Sequence, residues 1–314
     1  MYLETLVNNE KMPERWKTRL YERYSDILKF NESCTEGERE ILVLLELKKI
    51  PVLVLSSSSR RQLYPREEMA GESSLKLFFL DPEDYLFAKG YLVNIGYETD
   101  TLYPGVGEKM RIPGRFSVEI YDTFPFKTQV FQKGMGKLLQ RTFLKENENY
   151  IYEWKIIDQL VYLMVQSSYL YVTGHLQIRH LADLYVFYRK TAAENQLQDL
   201  EDRLKEFKVN ILAQKLLHLS YMWFGTREEC ASMETKEEEL QVFDILEKNV
   251  FYGMTGKFGP ETDEQALDLR SDILKEEERE NRMEKRALFY RRLREFFSLV
   301  RRQLKELYDI LYSR

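Results

Sequence analysis

The side chains that could do chemistry in this chain gather first between positions 50 and 84. An apolar run, Ile50 to Leu55, meets four serines, Ser56–Ser59, and then the amphipathic stretch Arg60–Tyr64. Backbone N–H groups at a turn that opens a helix can cradle phosphate. Ser56, Ser57 and Ser58 are therefore the candidate nucleotide-binding residues, beside the plainer reading of an N-cap and solvated turn. A second apolar run, Leu75 to Leu80, stops at Asp81-Pro82. A strand that holds divalent metals carries carboxylates, because such metals take hard, mostly anionic oxygen ligands. This one offers Ser74 and Lys76 instead. Farther on, Phe116 to Ile120 alternates, so Val118 and Ile120 face the core and Glu119 faces the opposite side, where a site would lie. Arg179 and Asp183 stand four apart, the spacing of a helix pair worth roughly 0.3–0.5 kcal/mol.

Other patterns carry less. His175, His180 and His218 do not form a metal-ligand spacing, since five residues put the first two on different helix faces; surface or packing roles suit them better. Gly253-Met-Thr-Gly-Lys-Phe-Gly259 looks like a phosphate-loop fragment but lacks the four-residue spacer and the Ser or Thr after Lys257.

Elements must hold these residues in place. Trp16, Leu20, Tyr24 and Leu28 give a helical stripe at four-residue spacing. Thr35 and Glu38 form a capping-box pattern ahead of a helix through Leu47. Both apolar runs, short and bounded by turn chemistry, read as buried strands. Asp81 and Pro82 suit the N-cap and first position of a helix, with Tyr85, Phe87, Ala88, Tyr91 and Leu92 inward and an end near Gly96. Residues 97–122 read as short antiparallel strands with turns at Pro104-Gly105 and Pro113-Gly114. From Tyr150 to Phe224 there is no proline and no clear strand alternation. Four helices are expected there, lined by Leu160 to Tyr171, by Ile178 to Val186, by Leu197 to Phe207, and by Ile211 to Phe224. The stretch 253–264 is turn-rich. Residues 275–314 form an amphipathic helix or helix pair, with arginines dominating one face around 291–302.

With 314 residues, 44% hydrophobic and 13% aromatic, the chain can build a sizeable core. A net charge of −5 argues against general affinity for nucleic acid, leaving a local basic patch open. Two cysteines, Cys34 and Cys230, do not suggest a disulfide framework; a reducing compartment fits better. The start lacks the apolar core of a signal peptide. Ile156–Val172, interrupted by Asp158, Gln159 and Gln166, reads as a core helix rather than a membrane span. A cytoplasmic location without a transmembrane segment is expected.

Taken in order, several pieces resemble the uncharacterised bacterial nucleotidyltransferase family of the polymerase-β-like superfamily. They are IPVLVL, Tyr64-Pro65, the LDPED turn, Gly96-Tyr97, Val118-Glu119-Ile120, Gly174…Ile178-Arg179…Asp183-Leu184-Tyr185, and MWFG at 222–225. The Tyr-Gly before Met254 also fits. The resemblance runs from about residue 40 to about 260 and lies in the ordered set, no single piece being specific. It implies an α+β fold: a nucleotidyltransferase-like mixed sheet with flanking helices, followed by a helical module and a C-terminal amphipathic helix. The expected divisions are 1–145, 146–252 and 253–314.

The departures bear on function. The family's Lys-Gly turn aligns with Ser56-Ser57, and its Asp-x-Asp pair with Ser74 and Lys76. Its strand His aligns with Tyr121, its helix His with Gln166, and its Lys-His pair with Tyr169-Leu170. Glu119, Arg179 and Asp183 remain. A lysine at a ligand position repels a cation, and one carboxylate is a poor two-metal site. The resemblance thus implies a scaffold kept for another use: a degenerate member that binds a nucleotide or a protein partner, with no specific nucleic acid. Two alternatives stand beside it. One is an active enzyme with a relocated site, using Mg2+ and an NTP. The other is an interaction protein that works through its helical part and tail. Arg179 and Asp183 are expected to lock the fold, Glu119 to be a metal relic or a plain strand residue, and Lys76 to be solvated or to hold a phosphate directly.

Overall fold

A computed structural model describes residues 13–70, 74–103, 106–112, 116–126, 128–226, 246–250, 267–276, 278–279 and 282. The strands are β1 (Val52–Ser56), β2 (Leu75–Phe78), β3 (Glu98–Tyr103), β4 (Gly107–Arg111), β5 (Ser117–Tyr121), β6 (Phe143–Leu144) and β7 (Ile151–Glu153). They form one sheet in the order β3-β4-β5-β2-β1-β7-β6. The sheet is mixed. β1 runs antiparallel to β2 and parallel to β7, whereas β2 and β5 are parallel. β3, β4 and β5 form the expected antiparallel meander; its two proline-glycine turns lie outside the described residues, as do residues 253–264 and nearly all of the expected C-terminal helix.

The helices are α1 (Glu14–Leu47), α2 (Pro82–Asn94), α3 (Gln129–Leu139), α4 (Ile156–Val172), α5 (Ile178–Ala193), α6 (Leu200–Lys205) and α7 (Asn210–Phe224). The α+β class holds: a mixed sheet with helices on both faces. Among the described residues no helix is long and apolar enough to cross a membrane.

Strand periodicity explains the two layers, since alternate residues serve alternate faces. Leu75, Leu77, Val118 and Ile120 turn to one face, where Ile41 and Leu45 of α1 and Ala88 and Leu92 of α2 cover them. Leu53, Leu55, Phe78 and Tyr121 belong to the other core, with Phe131 of α3, Leu160 of α4, Leu184 of α5 and Leu216 of α7. Each such buried side chain contributes roughly 1.5–3 kcal/mol. Leu246, Val250, Leu269 and Ile273 join this second core.

Several expectations need correction. Thr35 and Glu38 do not start a helix, because α1 runs unbroken through them. Gly37 lies between them, but a single glycine costs a helix only about 1 kcal/mol relative to alanine, and the helix propagates through it. The Thr35 hydroxyl instead donates to the Asn31 carbonyl at 3.0 Å, four residues back. The stripe on the first half of α1 is not core: Trp16 is 48% and Leu28 43% exposed. Phe87 faces solvent, while Ala88 and Leu92 are buried as expected. Asp81 caps α2 by accepting the Glu83 N–H at 2.9 Å, and the turn after that helix uses Gly96 at φ +95°. The amphipathic stretch Arg60–Tyr64 is a 3-10 turn, Ser58–Leu63, rather than an α-helix. No pattern in the sequence announces the helix α3 or the short strands β6 and β7. β7 lies in a region that read as wholly helical, yet it pairs with β1 through Val52 and Leu53.

Candidate functional site

The second face of the sheet carries the chemistry. A bulge between Val54 and Ser56 shifts the phase of β1, so Ser56 stands opposite Lys76 of β2. Lys76 stands opposite Glu119 of β5, and Glu119 opposite Lys109 of β4. Directly paired residues share a face. A row of Ser56, Lys76, Glu119 and Lys109 therefore crosses four strands.

Glu119 is the centre of that row. Its Oε1 accepts the Ser74 hydroxyl at 2.8 Å. Its Oε2 lies 3.1 Å from the Lys76 ammonium and accepts the Tyr121 hydroxyl. The Glu119 side chain is 9% exposed and that of Lys76 27%. Burial pushes the Glu119 carboxyl up, but the Lys76 charge and the hydroxyls of Tyr121 and Ser74 outweigh it, and the net shift is downward. Glu119 is thus an ionised carboxylate whose two oxygens are already engaged.

The residues here do not fit the two divalent metals of a nucleotidyltransferase. Ser74 and Lys76 both reach Glu119, so the strand positions are right for a shared site but the donors are wrong. One is a neutral hydroxyl and the other a cation. A unit positive charge 4 Å from a divalent ion costs about 8 kcal/mol at an effective dielectric of 20. Among the described residues no group of three His, Cys, Asp or Glu side chains could hold a metal ion.

The serine turn is arranged differently from a phosphate cradle. Ser56 is buried. The hydroxyls of Ser57 and Ser59 bond each other at 2.6 Å. The Ser58 N–H donates to Glu38 Oε2 of α1 at 2.6 Å. A carboxylate of the chain itself thus occupies the place an anion would take at that turn. Burial raises the Glu38 carboxyl, against the opposing pull of the Ser58 hydrogen bonds and the charges of Arg61 and Lys145.

Above the sheet, the 3-10 turn meets α5. Tyr64 donates its hydroxyl to Asp183 Oδ1. Arg60 lies over the Phe187 ring, 5.3 Å from its centroid, and donates through Nη2 to the Leu55 carbonyl at 2.7 Å. Its Nε is enclosed without a hydrogen-bond partner. Burial lowers the Arg60 guanidinium and raises Asp183, and the opposite charges of the two groups resist both shifts. Burial and the Asp183 carboxylate push the Tyr64 phenol well up. Arg179 does not pair with Asp183 despite the four-residue spacing. It sits exposed in the first turn of α5 and makes no ion pair among the described residues.

His180, beside it, accepts the Gln177 N–H on Nδ1 at 2.9 Å and so caps α5. Burial, then the charges of Arg179 and Lys76, push its imidazole down to about 4. His175 is exposed, and among the described residues neither it nor His218 belongs to a group that could hold a metal.

Two sequence-marked sets lie on the same side of the sheet, Ser74, Lys76 and Glu119 on its strands and Arg179 and Asp183 on α5, with Asp183 bonded to Tyr64 and Arg179 exposed. Lys76 and Arg179 both act electrostatically on His180 and on Asp183. Sequence reading missed Arg60, Tyr121 as a donor to Glu119, and Glu38 as the partner of the serine turn. Tyr64 is marked in the sequence through its Tyr-Pro pair. Two cavities, of about 420 and 580 Å3, open elsewhere: one beside Phe131 and Phe207, the other beside Lys155 and Arg203.

A family model described as an uncharacterised nucleotidyltransferase matches residues 2–225. No curated protein and no solved structure matches the chain.

Proposed function

The chain belongs to the uncharacterised nucleotidyltransferase family, and from that membership we propose that it is a member without metal-dependent nucleotidyl transfer, whose cleft serves binding instead. The observation that carries this reading is the Lys76–Glu119 ion pair at 3.1 Å. In the family pattern that strand supplies two aspartates, and their carboxylates would share divalent metals with a third on the neighbouring strand. Here an ammonium neutralises the remaining carboxylate. Metal ions in phosphoryl transfer neutralise phosphate charge and activate the attacking oxygen. Lys76 can do the first of these but not the second. The ordered framework around it, from the LDPED turn to the Tyr64–Asp183 bond, supports a scaffold retained for a purpose.

The test is a thermal-shift titration with each of the four NTPs, with and without magnesium, followed by an assay for nucleotide transferred to co-purifying acceptors. A ligand that binds only the folded state at a hundredfold excess over its Kd adds about 2.7 kcal/mol. The expected result is no magnesium-dependent stabilisation and no transferred label. A shift with one nucleotide that requires magnesium, together with labelled acceptor, overturns the reading.

A further inference from the structure

We propose that the outer face of α2 is the docking site of the chain's own C-terminal segment, residues 286–304, which lies along it as an amphipathic helix. α2 covers the face of the sheet opposite the cleft, so this contact is independent of the chemistry there.

Three observations support it. The first is the composition of α2. A surface helix keeps one apolar face, whereas a helix apolar all round is covered on every side. α2 turns Ala88 and Leu92 into the core, yet it also presents Leu86, Phe87 and Val93 outward, Leu86 being 63% and Val93 52% exposed. Leu80 before the helix and Ile95 after it are exposed too and extend the patch along its length. Gly90 stands in the middle of this outer face, where a Cβ would meet nothing within 4 Å. Glycine inside a helix is destabilising relative to alanine, and no neighbour crowds this one. A flat spot that admits an incoming ring accounts for it. Gly136 of α3 is as open, but Lys133 and Lys137 flank it and are exposed, so that face is charged rather than apolar.

The second is charge. Asp81, Glu83 and Asp84 crowd the start of α2, and none makes an ion pair among the described residues. Burial, and then the two acidic neighbours, hold the Asp84 carboxyl above its ordinary range. The last turn of α2 holds no basic residue. Residues 286–304 complement both ends. Phe289, Leu293, Phe296, Val300 and Leu304 recur at helical spacing, with Arg291, Arg292 and Arg294 toward one end of the stripe and Arg301 and Arg302 toward the other. When the segment enters at the N-terminal end of α2, its first arginines meet the acidic turn. Its last two reach the carbonyl end, where positive charge is favoured.

The third is reach. β2 and β5 are parallel neighbours. Asp81 follows the end of the first and Thr128 the end of the second, and Phe78 and Phe124 stack between them with centroids 4.2 Å apart. Asp268, Leu269, Ser271, Asp272 and Lys275 line a cavity with Thr128 and Val130. The C-terminal segment therefore sets out from the end of the sheet at which α2 begins. Residues 276–285 span from about 15 Å as a helix to about 34 Å extended, enough to pass round that end. Residues 286–304 make about 28 Å of helix, more than the 13 residues of α2 need.

The experiment places benzoylphenylalanine at position 87 of the full chain, in place of the exposed Phe87 ring. The purified protein is irradiated and its cross-links are mapped by mass spectrometry. The expected result is a monomeric product joined to residues 286–304. Leu86→Glu with Val93→Glu, at exposed positions that leave the core untouched, is expected to cut that product about tenfold, because docking would then bury two charges against an apolar stripe. Arg291→Glu with Arg292→Glu, and separately molar salt, are expected to lower it by a smaller factor, since the acidic turn adds only a screened surface attraction.

A covalent dimer as the main product gives this face to a second copy and overturns the inference. Cross-links to other parts of the same chain, or none at all, overturn it as well. So does a product that is undiminished in a folded Leu86→Glu/Val93→Glu variant. None of these outcomes bears on the proposed function, which is read from nucleotide binding and transfer.

Discussion

At the scale of single residues, Glu119 and Lys76 depend on each other. Removing one partner of a largely buried pair leaves the other charge uncompensated. Lys76→Met is therefore expected to destabilise the protein by about 2–4 kcal/mol, less than for a fully buried pair because Lys76 keeps some solvent. The Lys76→Met/Glu119→Gln double variant recovers part of the loss in urea denaturation, since no charge is then left without a partner. His180 supplies a pH signature. Its imidazole titrates near 4 in the folded protein and near 6.5 in an unfolded chain. Unfolding therefore takes up a proton between these values, and stability falls as pH drops from about 6.5 to about 4, by at most about 3 kcal/mol from this group. His180→Gln keeps an acceptor for the Gln177 N–H but does not titrate. Its stability should be flatter over that window, with little change at pH 7. Sequence reading marked Lys76 and Glu119 because their types broke an expected pattern. It missed Arg60 and Glu38 because their partners, Phe187 and Ser58, are distant in sequence and no local spacing announces them.

At the scale of elements, the cleft is built by strand pairing. Lys76 and Glu119 meet because β2 and β5 are parallel and in register there. That pairing gives a frame on which a metal site can be built. Ser74→Asp with Lys76→Asp would set two carboxylates beside Glu119, close to the three-carboxylate arrangement that a divalent ion needs. The double variant is expected to bind Mn2+ by electron paramagnetic resonance, and the parent protein to show none at the same concentration. Absence of binding in a folded double variant would mean that the carboxylates do not converge as the serine and lysine do. The alternation of Val118, Glu119 and Ile120 was legible in the sequence, and so were the Asp81 cap, the extent of α4 and the start of α5. The unbroken α1 was not, since Thr35 and Gly37 read locally as a boundary, whereas a long helix crosses a single glycine at a cost of about 1 kcal/mol. The pairing of β7 with β1 was also hidden: a three-residue strand carries too little periodicity to be seen.

At the scale of the molecule, the sheet separates two cores that the chain completes at different points. The family match ends at residue 225, but the second core does not. Leu246, Val250, Leu269 and Ile273 are buried in it. The Asn249 amide donates to the Tyr171 hydroxyl at 2.8 Å, and the Trp223 indole donates to Glu247 at 2.9 Å. A chain cut after Thr226 is therefore expected to melt at least about 5 °C lower and to bind a hydrophobic dye, because exposing several large apolar side chains costs several kcal/mol. An unchanged melting temperature would mean that these segments add nothing to the second core.

The two-core arrangement also sets an order of events during synthesis. Among the described residues the core under α1 and α2 draws on nothing beyond Ile151, so it can close before most of the second half of the chain has been made. Lys76 and Glu119 meet at that stage. Arg179 and Asp183 arrive later, when α5 settles over the opposite face, and among the described residues the apolar contacts of that core extend to Ile273. For part of its birth the protein is a half-covered sheet with an ion pair in place and an open apolar face beside it. The nascent chain is most exposed to wrong pairing, and most in need of a chaperone, during the interval between residue 151 and residue 273.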